Sequence, residues 1–182
     1  DTKGVAAGAS GGLVGALAPH IPENWNAKKA FQFDSLIMAE DLWARVAHLS
    51  GQSPGYLRSG RLQPIADARA LELAHARAES AKSLWEGKAE WHVVPALDHP
   101  DWAPQSPTGY LIHDTLTARI HPQRATRALA DAVIALGGQI VIGTADIEGR
   151  LVEATGYEGL TDLSRKLAKS AGNGVKGQAA LL

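Results

Sequence analysis

The pattern of small, apolar and polar positions predicts a loop followed by a long helix at the start of the chain. The twelve positions from Gly4 to Gly15 contain five glycines. Each glycine costs a helix about 1 kcal/mol relative to alanine, so this stretch is predicted to be a loop whose backbone approaches something closely. Apolar residues at helical spacing, Phe31 among them, then predict a helix that Asn24 caps and that continues to about Leu49.

A second helix and several short strands are predicted up to residue 120. Asp67 precedes an alanine-rich stretch of helical period and is its predicted N-cap, with the helix running to about Trp85. The remaining segments are a β-like stretch over 60–65, a strand over 91–95, an exposed proline-rich connection over 98–107, and a strand-turn-strand over 108–120.

The C-terminal third has the clearest alternation of helical and strand periods. His121 and Pro122 begin a predicted helix that ends at the glycine pair 137–138. The elements predicted after it are strands over 140–142 and 150–154, a short helix over 159–167, and a closing strand within 175–182. This order predicts an α/β fold in which helices pack on a sheet.

Composition and charge narrow the class of protein. The chain has 182 residues, 18 Lys plus Arg against 19 Asp plus Glu, a formal charge of −1 and no cysteine. Disulfides and thiolate chemistry are therefore excluded, and nothing indicates a bulk electrostatic partner. No apolar run approaches the ~20 residues of a membrane helix, so we expect no membrane partner and a cytoplasmic location. The seven histidines show no metal-binding spacing, and no metal is predicted.

Two glycine-bearing segments are candidates for ligand contact. The amides of 8–12 are suited to wrap a phosphate, with the Ser10 hydroxyl as an extra donor, and a Cβ at Gly11 is expected to occupy space that a pyrophosphate needs. The second segment, 153–156, is predicted to be a strand end with room for a flat or phosphorylated ligand. Plain tight turns are the alternative for both. His113 and Asp114 adjoin and are candidates for a general-base pair, but a surface or turn pair is favoured because neighbours in a strand point to opposite faces.

The order of several short motifs resembles the glycine oxidase and D-amino-acid oxidase family of FAD-dependent oxidoreductases. The resemblance covers nearly the whole chain and depends on the collinear order of motifs that are individually modest. These motifs are Asp1–Gly4, Gly8–Gly12, Gly15–Pro19, Ser59–Gln63, Arg119–Arg124, Glu153–Gly156 and Val175–Gln178.

The resemblance implies an FAD-binding Rossmann-like domain of the glutathione-reductase type joined to part of an antiparallel substrate domain. Residues 1–60 and 121–182 then belong to the FAD domain, and residues 61–120 to the substrate domain. The family's first strand, GxGxxG turn and helix are expected before Asp1, and further substrate-domain strands after Leu182. A polypeptide limited to these residues is accordingly expected to hold FAD weakly or not at all and to show no turnover.

The resemblance also assigns cofactor contacts residue by residue. Asp1 is expected to hold the adenosine ribose. The other implied contacts are Ala9, Ser10 and Gly11 with the pyrophosphate and ribityl chain, Leu17 and Ala18 with the flavin ring, and Thr155 and Gly156 packed on the cofactor. His20 follows the flavin-facing stretch and is the one catalytic candidate, with a helix-entry histidine as the simpler interpretation.

The implied activity is oxidation of the C–N bond of a small, glycine-like amine or amino acid by hydride transfer to the flavin. Two alternatives stay open. The motifs Gly8–Gly11, Gly15–Pro19 and Gly60–Gln63 also resemble the oxidoreductase half of a tRNA wobble-uridine modification enzyme, although a charge of −1 argues against a tRNA partner. The chain could also be a non-catalytic piece of such an enzyme. Sequence leaves the oligomeric state open.

Overall fold

A computed structural model describes residues 3–99, 103–143, 146, 149–175 and 177. The chain divides into two compact units. The first unit comprises Asp1–Gly15, Val46–Pro54 and His121–Leu182, and the second comprises Ala16–Arg45 and Gly55–Ile120. No helix in the described ranges is long and apolar enough to cross a membrane.

The long helix α1 spans Ala27–Ser50. Its N-terminal amides are satisfied by Asn26, whose Oδ1 accepts from the Lys28 and Lys29 amides at 3.1 and 3.2 Å. The prediction that Asn24 is the cap is wrong. Asn24 lies two residues before Asn26, and its backbone adopts the left-handed conformation (φ 46°).

The face that α1 buries includes Val46, and Ile37 packs against the core, as predicted, but Phe31 was wrongly placed on it. Phe31 is 76% exposed, whereas Phe33, Leu36 and Ala39 are buried. Phe33 and Leu36 join the core of the second unit, and helical spacing then carries Phe31 to the outer side.

The second helix, α2, spans Ala68–Leu84 and begins as predicted, with Asp67 Oδ1 accepting from the Ala70 amide at 2.8 Å. It ends at Trp85, which is fully buried and meets the Trp91 ring edge-on at 6.0 Å between centroids. This tryptophan pair lies at the centre of the second unit's core, with Leu116 beside it.

Five strands form two sheets in the described ranges, one of two strands and one of three. They are β1 (Gly15–Leu17), β2 (Arg61–Pro64), β3 (Trp91–Pro95), β4 (Tyr110–Asp114) and β5 (Ala118–Ile120). β1 pairs with β5, and β4 lies between β2 and β3 with both neighbours antiparallel. The strands predicted over 60–65, 91–95 and 108–120 are therefore present. Assignment of this region to a substrate domain stays a prediction.

In the first unit, a short 3-10 helix over Ala9–Gly11 precedes two longer helices. Helix α3 spans Pro122–Ala135, begins with proline in its first turn and is capped by His121, whose Nδ1 accepts from the Arg124 amide at 3.4 Å. Helix α4 spans Gly156–Leu167. Both helices lie within a few residues of their predicted positions. The α/β fold class is confirmed.

The strands predicted over 140–142 and 150–154 are wrong for this structure, since both segments are irregular. Ile140, Val141, Ile142, Leu151 and Val152 are 41–76% exposed. An extended segment becomes a strand only when a neighbouring strand takes up its backbone hydrogen bonds, and neither sheet of the described ranges reaches these segments. Most of the closing strand predicted within 175–182 lies outside the described residues.

Candidate functional site

The glycine segment folds into a tight exposed turn with unused hydrogen-bond donors. The Gly11 amide donates to Gly8 O at 2.9 Å, and the Gly12 amide donates to Ala9 O at 3.4 Å, which closes one 3-10 turn. The Ala9 and Ser10 amides find no acceptor among the described residues, nor does the Ser10 hydroxyl. The turn therefore presents two N–H groups and one O–H group to solvent, the donor set that an anionic phosphate requires.

Helix α3 holds this turn in place. The Gln123 amide, in the first turn of α3, donates to Gly12 O at 3.4 Å. A Cβ on Gly12 would lie at van der Waals distance from Pro122, 3.9 Å from its Cγ. The N-terminus of α3, where His121 caps the Arg124 amide, therefore fixes the glycine turn.

Gly11 is required for a reason other than the predicted one. An ideal Cβ on Gly11 would collide with the backbone oxygen of Ala6, not with space left for a ligand. The residue that faces open space is Gly8, where a Cβ would meet nothing within 4 Å and φ is −96°. Gly11 thus permits the turn to close, and Gly8 is the position of the turn at which an added side chain would enter open space.

The second glycine motif begins a helix and does not end a strand. Thr155 is the residue before α4 and makes no side-chain cap. Its hydroxyl oxygen lies where a Cβ on Gly159 would be, so it packs against the helix backbone. Gly156 adopts φ 68° with open space around its Cα. The turn at Gly156 lets the chain enter α4, and its contact with cofactor stays a prediction.

The predicted flavin-facing residues lie in the second unit. Leu17 ends β1 and packs partly against the tryptophan core, and Ala18 follows it, half-buried. His20 donates its backbone amide to Gln32 Oε1 at 2.7 Å. Its ring makes no hydrogen bond within the described part of the chain. The structure therefore leaves the imidazole free, and its catalytic role stays a prediction. Asp1 lies outside the described residues.

The carboxylate of Asp114, at the end of β4, is buried in an ion pair that sequence did not predict. Asp114 is fully buried, accepts from Arg61 Nε at 3.1 Å and from the Thr117 amide at 2.7 Å. The Arg61 ion pair joins β2 to β4, and the Thr117 bond closes the β4–β5 turn, so Asp114 stabilises the sheet.

The adjoining His113 lies on the opposite face of the sheet, as strand alternation predicts. Its ring lies 6.4 Å from that of His92, its register partner on β3, and 6.0 Å from that of His99. Burial lowers the pKa of His113, and the neighbouring histidines lower it further. His113 and Asp114 therefore do not form a general-base pair.

Comparison with known proteins identifies the class. The sequence model described as FAD dependent oxidoreductase (DAO) matches residues 1–175. The crystal structure of glycine oxidase from Geobacillus kaustophilus superimposes on the chain with a TM-score of 0.56 at 14% sequence identity, which shows a shared fold. No curated protein matches the chain significantly. The superposition shows the fold, and the family match gives the class of protein to which the chain belongs.

The chain belongs to the FAD dependent oxidoreductase family, since the family model spans almost its whole length. The superposition covers 75% of this chain but 37% of the glycine oxidase chain, so the chain spans well under half of that structure. FAD is the cofactor of the family. The turn over Ala9–Gly11 fits it, because its two free amides and the Ser10 hydroxyl suit a pyrophosphate.

Proposed function

We propose that the protein oxidises the C–N bond of a small, glycine-like amine, with FAD bound through the glycine turn. The observation that carries the proposal is the exposed turn, in which the Ala9 and Ser10 amides and the Ser10 hydroxyl are unpaired next to the open space at Gly8. An anionic pyrophosphate would satisfy all three donors, and charge-assisted hydrogen bonds of this kind are about twice as strong as neutral ones.

The roles of the chain's own residues follow from their positions. The amides of Ala9 and Ser10 bind the cofactor phosphate, and Gly8 keeps the approach clear. Leu17 and Ala18 supply an apolar surface for the flavin ring, with β1 fixing their backbone. Bound FAD supplies the hydride acceptor for the carbon next to the substrate nitrogen.

Support for a small amine comes from family membership and charge. The structural neighbour is a glycine oxidase, and a protein of charge −1 offers little attraction to a polyanionic tRNA. A small zwitterionic amine needs no extended basic surface. The proposal therefore favours a small amine over the tRNA alternative.

The test is anaerobic reduction of the protein-bound flavin. We expect glycine or sarcosine to bleach the visible flavin band of the FAD-loaded full-length protein and to release an imine-derived aldehyde or oxo acid, while unmodified and wobble-modified tRNA leave the band unchanged. The control is the same protein with D-glucose, which lacks an amine. Retained flavin that no small amine reduces would contradict the amine proposal, and reduction by modified tRNA would favour the alternative.

A further inference from the structure

The loop between β1 and α1, residues 18–26, takes its path from side chains on two helices. It contains no helix or strand. Pro22 in its middle is fully buried, and Asn24 adopts a left-handed conformation at φ 46°. Because no regular backbone hydrogen bonding fixes it, the loop depends on contacts from outside its own sequence.

Helix α1 supplies the first set of contacts. Gln32 Oε1 accepts from the His20 amide at 2.7 Å. The Lys29 ammonium donates to Ile21 O at 3.3 Å and also to Glu23 O. These contacts are short-range in sequence and tie the loop to the helix that follows it.

Helix α2 supplies the second set, from residues more than fifty positions away. Arg77 donates through Nε to Glu23 Oε2 at 2.9 Å and through Nη2 to Glu23 Oε1 at 3.0 Å. The Ser80 hydroxyl, one turn further on, donates to Pro22 O. A two-bond arginine–carboxylate pair fixes direction as well as distance. The two side chains are only 20% and 32% exposed, so solvent screens the pair less than a surface ion pair.

We propose that Arg77 is a positioning residue that, with Ser80, sets where the β1–α1 loop places Leu17 and Ala18 against the flavin ring. This inference rests on the proposed function, which puts those two residues at the flavin. Arg77 contacts neither cofactor nor substrate; it acts through Glu23 and the backbone that leads back to Ala18.

The first experiment needs no flavin. Hydrogen exchange is measured in the FAD-free protein for Arg77→Met, which keeps the side-chain stem, and for the control Lys82→Met. Lys82 forms an exposed pair with Glu79 on the same helix and touches no part of the loop. We expect amides within residues 19–25 to exchange about fivefold faster in Arg77→Met, the upper end of what an ion pair of this kind contributes, and to be unchanged in Lys82→Met. Unchanged exchange in Arg77→Met would overturn the inference whatever the protein's function.

The second experiment uses the FAD-loaded protein. We expect Arg77→Met to shift the visible flavin absorption band and the flavin midpoint potential and to lower kcat about tenfold, with a smaller change in KM. The exchanged pair Glu23→Arg with Arg77→Glu should recover most of each change, because it restores the two opposite charges. Lys82→Met should match the unmodified protein in all three measurements.

The outcomes separate the inference from the proposed function. Faster exchange with an unaltered flavin spectrum and potential would show that Arg77 is merely structural and would overturn the positioning role. A protein that binds FAD and shows the spectral shift but oxidises no amine would overturn the proposed substrate and support the positioning role. Absence of FAD binding in the unmodified full-length protein would overturn both.

Discussion

At the scale of single residues, the neighbours of a side chain decide its role more than its type does. His113 and Asp114 adjoin in sequence, and strand alternation correctly predicted that they face apart. Sequence could not show that Asp114 pairs with Arg61, 53 positions away, because β2 and β4 meet only in the folded sheet. The same limit hid Arg77, whose partner Glu23 is 54 positions distant.

Gly8 allows a test of the glycine turn at this scale. We expect Gly8→Val to weaken FAD binding by the full-length protein at least tenfold, because the side chain would enter open space at the exposed turn that we propose binds the phosphate. Ser10→Ala should weaken binding about tenfold or more, which corresponds to the loss of one hydrogen bond to a charged group. Titration monitored by flavin fluorescence measures both, and Ala44→Val, at an exposed position of α1, is the control. Equal affinities in all four proteins would mean that the turn does not bind the cofactor.

His113 predicts a pH dependence of stability. Burial and the nearby His99 and His92 lower its pKa, against the smaller opposing influence of Asp114. A lowered pKa in the folded state means that the unfolded chain binds the proton more tightly, so stability falls as pH drops below the ordinary histidine value of about 6.5 towards the lowered value. We expect the fall in Tm between pH 8 and pH 5.5 to be smaller in His113→Gln than in the control His75→Gln, which changes an exposed histidine of α2. Parallel curves for the two variants would contradict this assignment.

At the scale of elements, local chemistry predicted where helices begin and end. Asp67 and His121 cap α2 and α3 as predicted, since capping depends on residues within one turn. The prediction of strands over 140–142 and 150–154 was wrong because strand formation also depends on residues distant in sequence. Their apolar, β-branched residues have the right local preference, but a strand also needs a partner, and local sequence does not specify one.

The glycine turn gives an element-scale prediction that does not involve FAD. Gly11→Ala should lower stability by about 1–3 kcal/mol, because its Cβ would collide with Ala6 O and force the turn open. Gly12→Ala is the matched control: its φ of −63° suits any residue, and its Cβ would lie 3.6 Å from Ala9 O. Thermal unfolding of the FAD-free protein measures the difference. Equal Tm values would show that the turn relaxes without cost.

At the scale of the whole molecule, the order of motifs carried more information than any one of them. Each glycine motif alone fits a plain turn, yet their collinear order pointed to the family that the match over residues 1–175 establishes. Individual contacts were less predictable. Gly11 was identified correctly as a constrained position, but the constraint is Ala6 and not the ligand, a distinction that requires backbone coordinates.

The location of the tryptophans, Trp85 and Trp91 of the core among them, has a consequence for fluorescence measurements. The described tryptophans at positions 25, 43, 85 and 91 all lie in the second unit, whereas the first unit's described residues include Tyr157 and no tryptophan. Emission excited at the red edge of the tryptophan band therefore reports the second unit, while far-ultraviolet circular dichroism reports helices of both. Recording the two signals together during denaturation distinguishes loosening of the β1–α1 loop, which contains Trp25, from melting of α3 and α4.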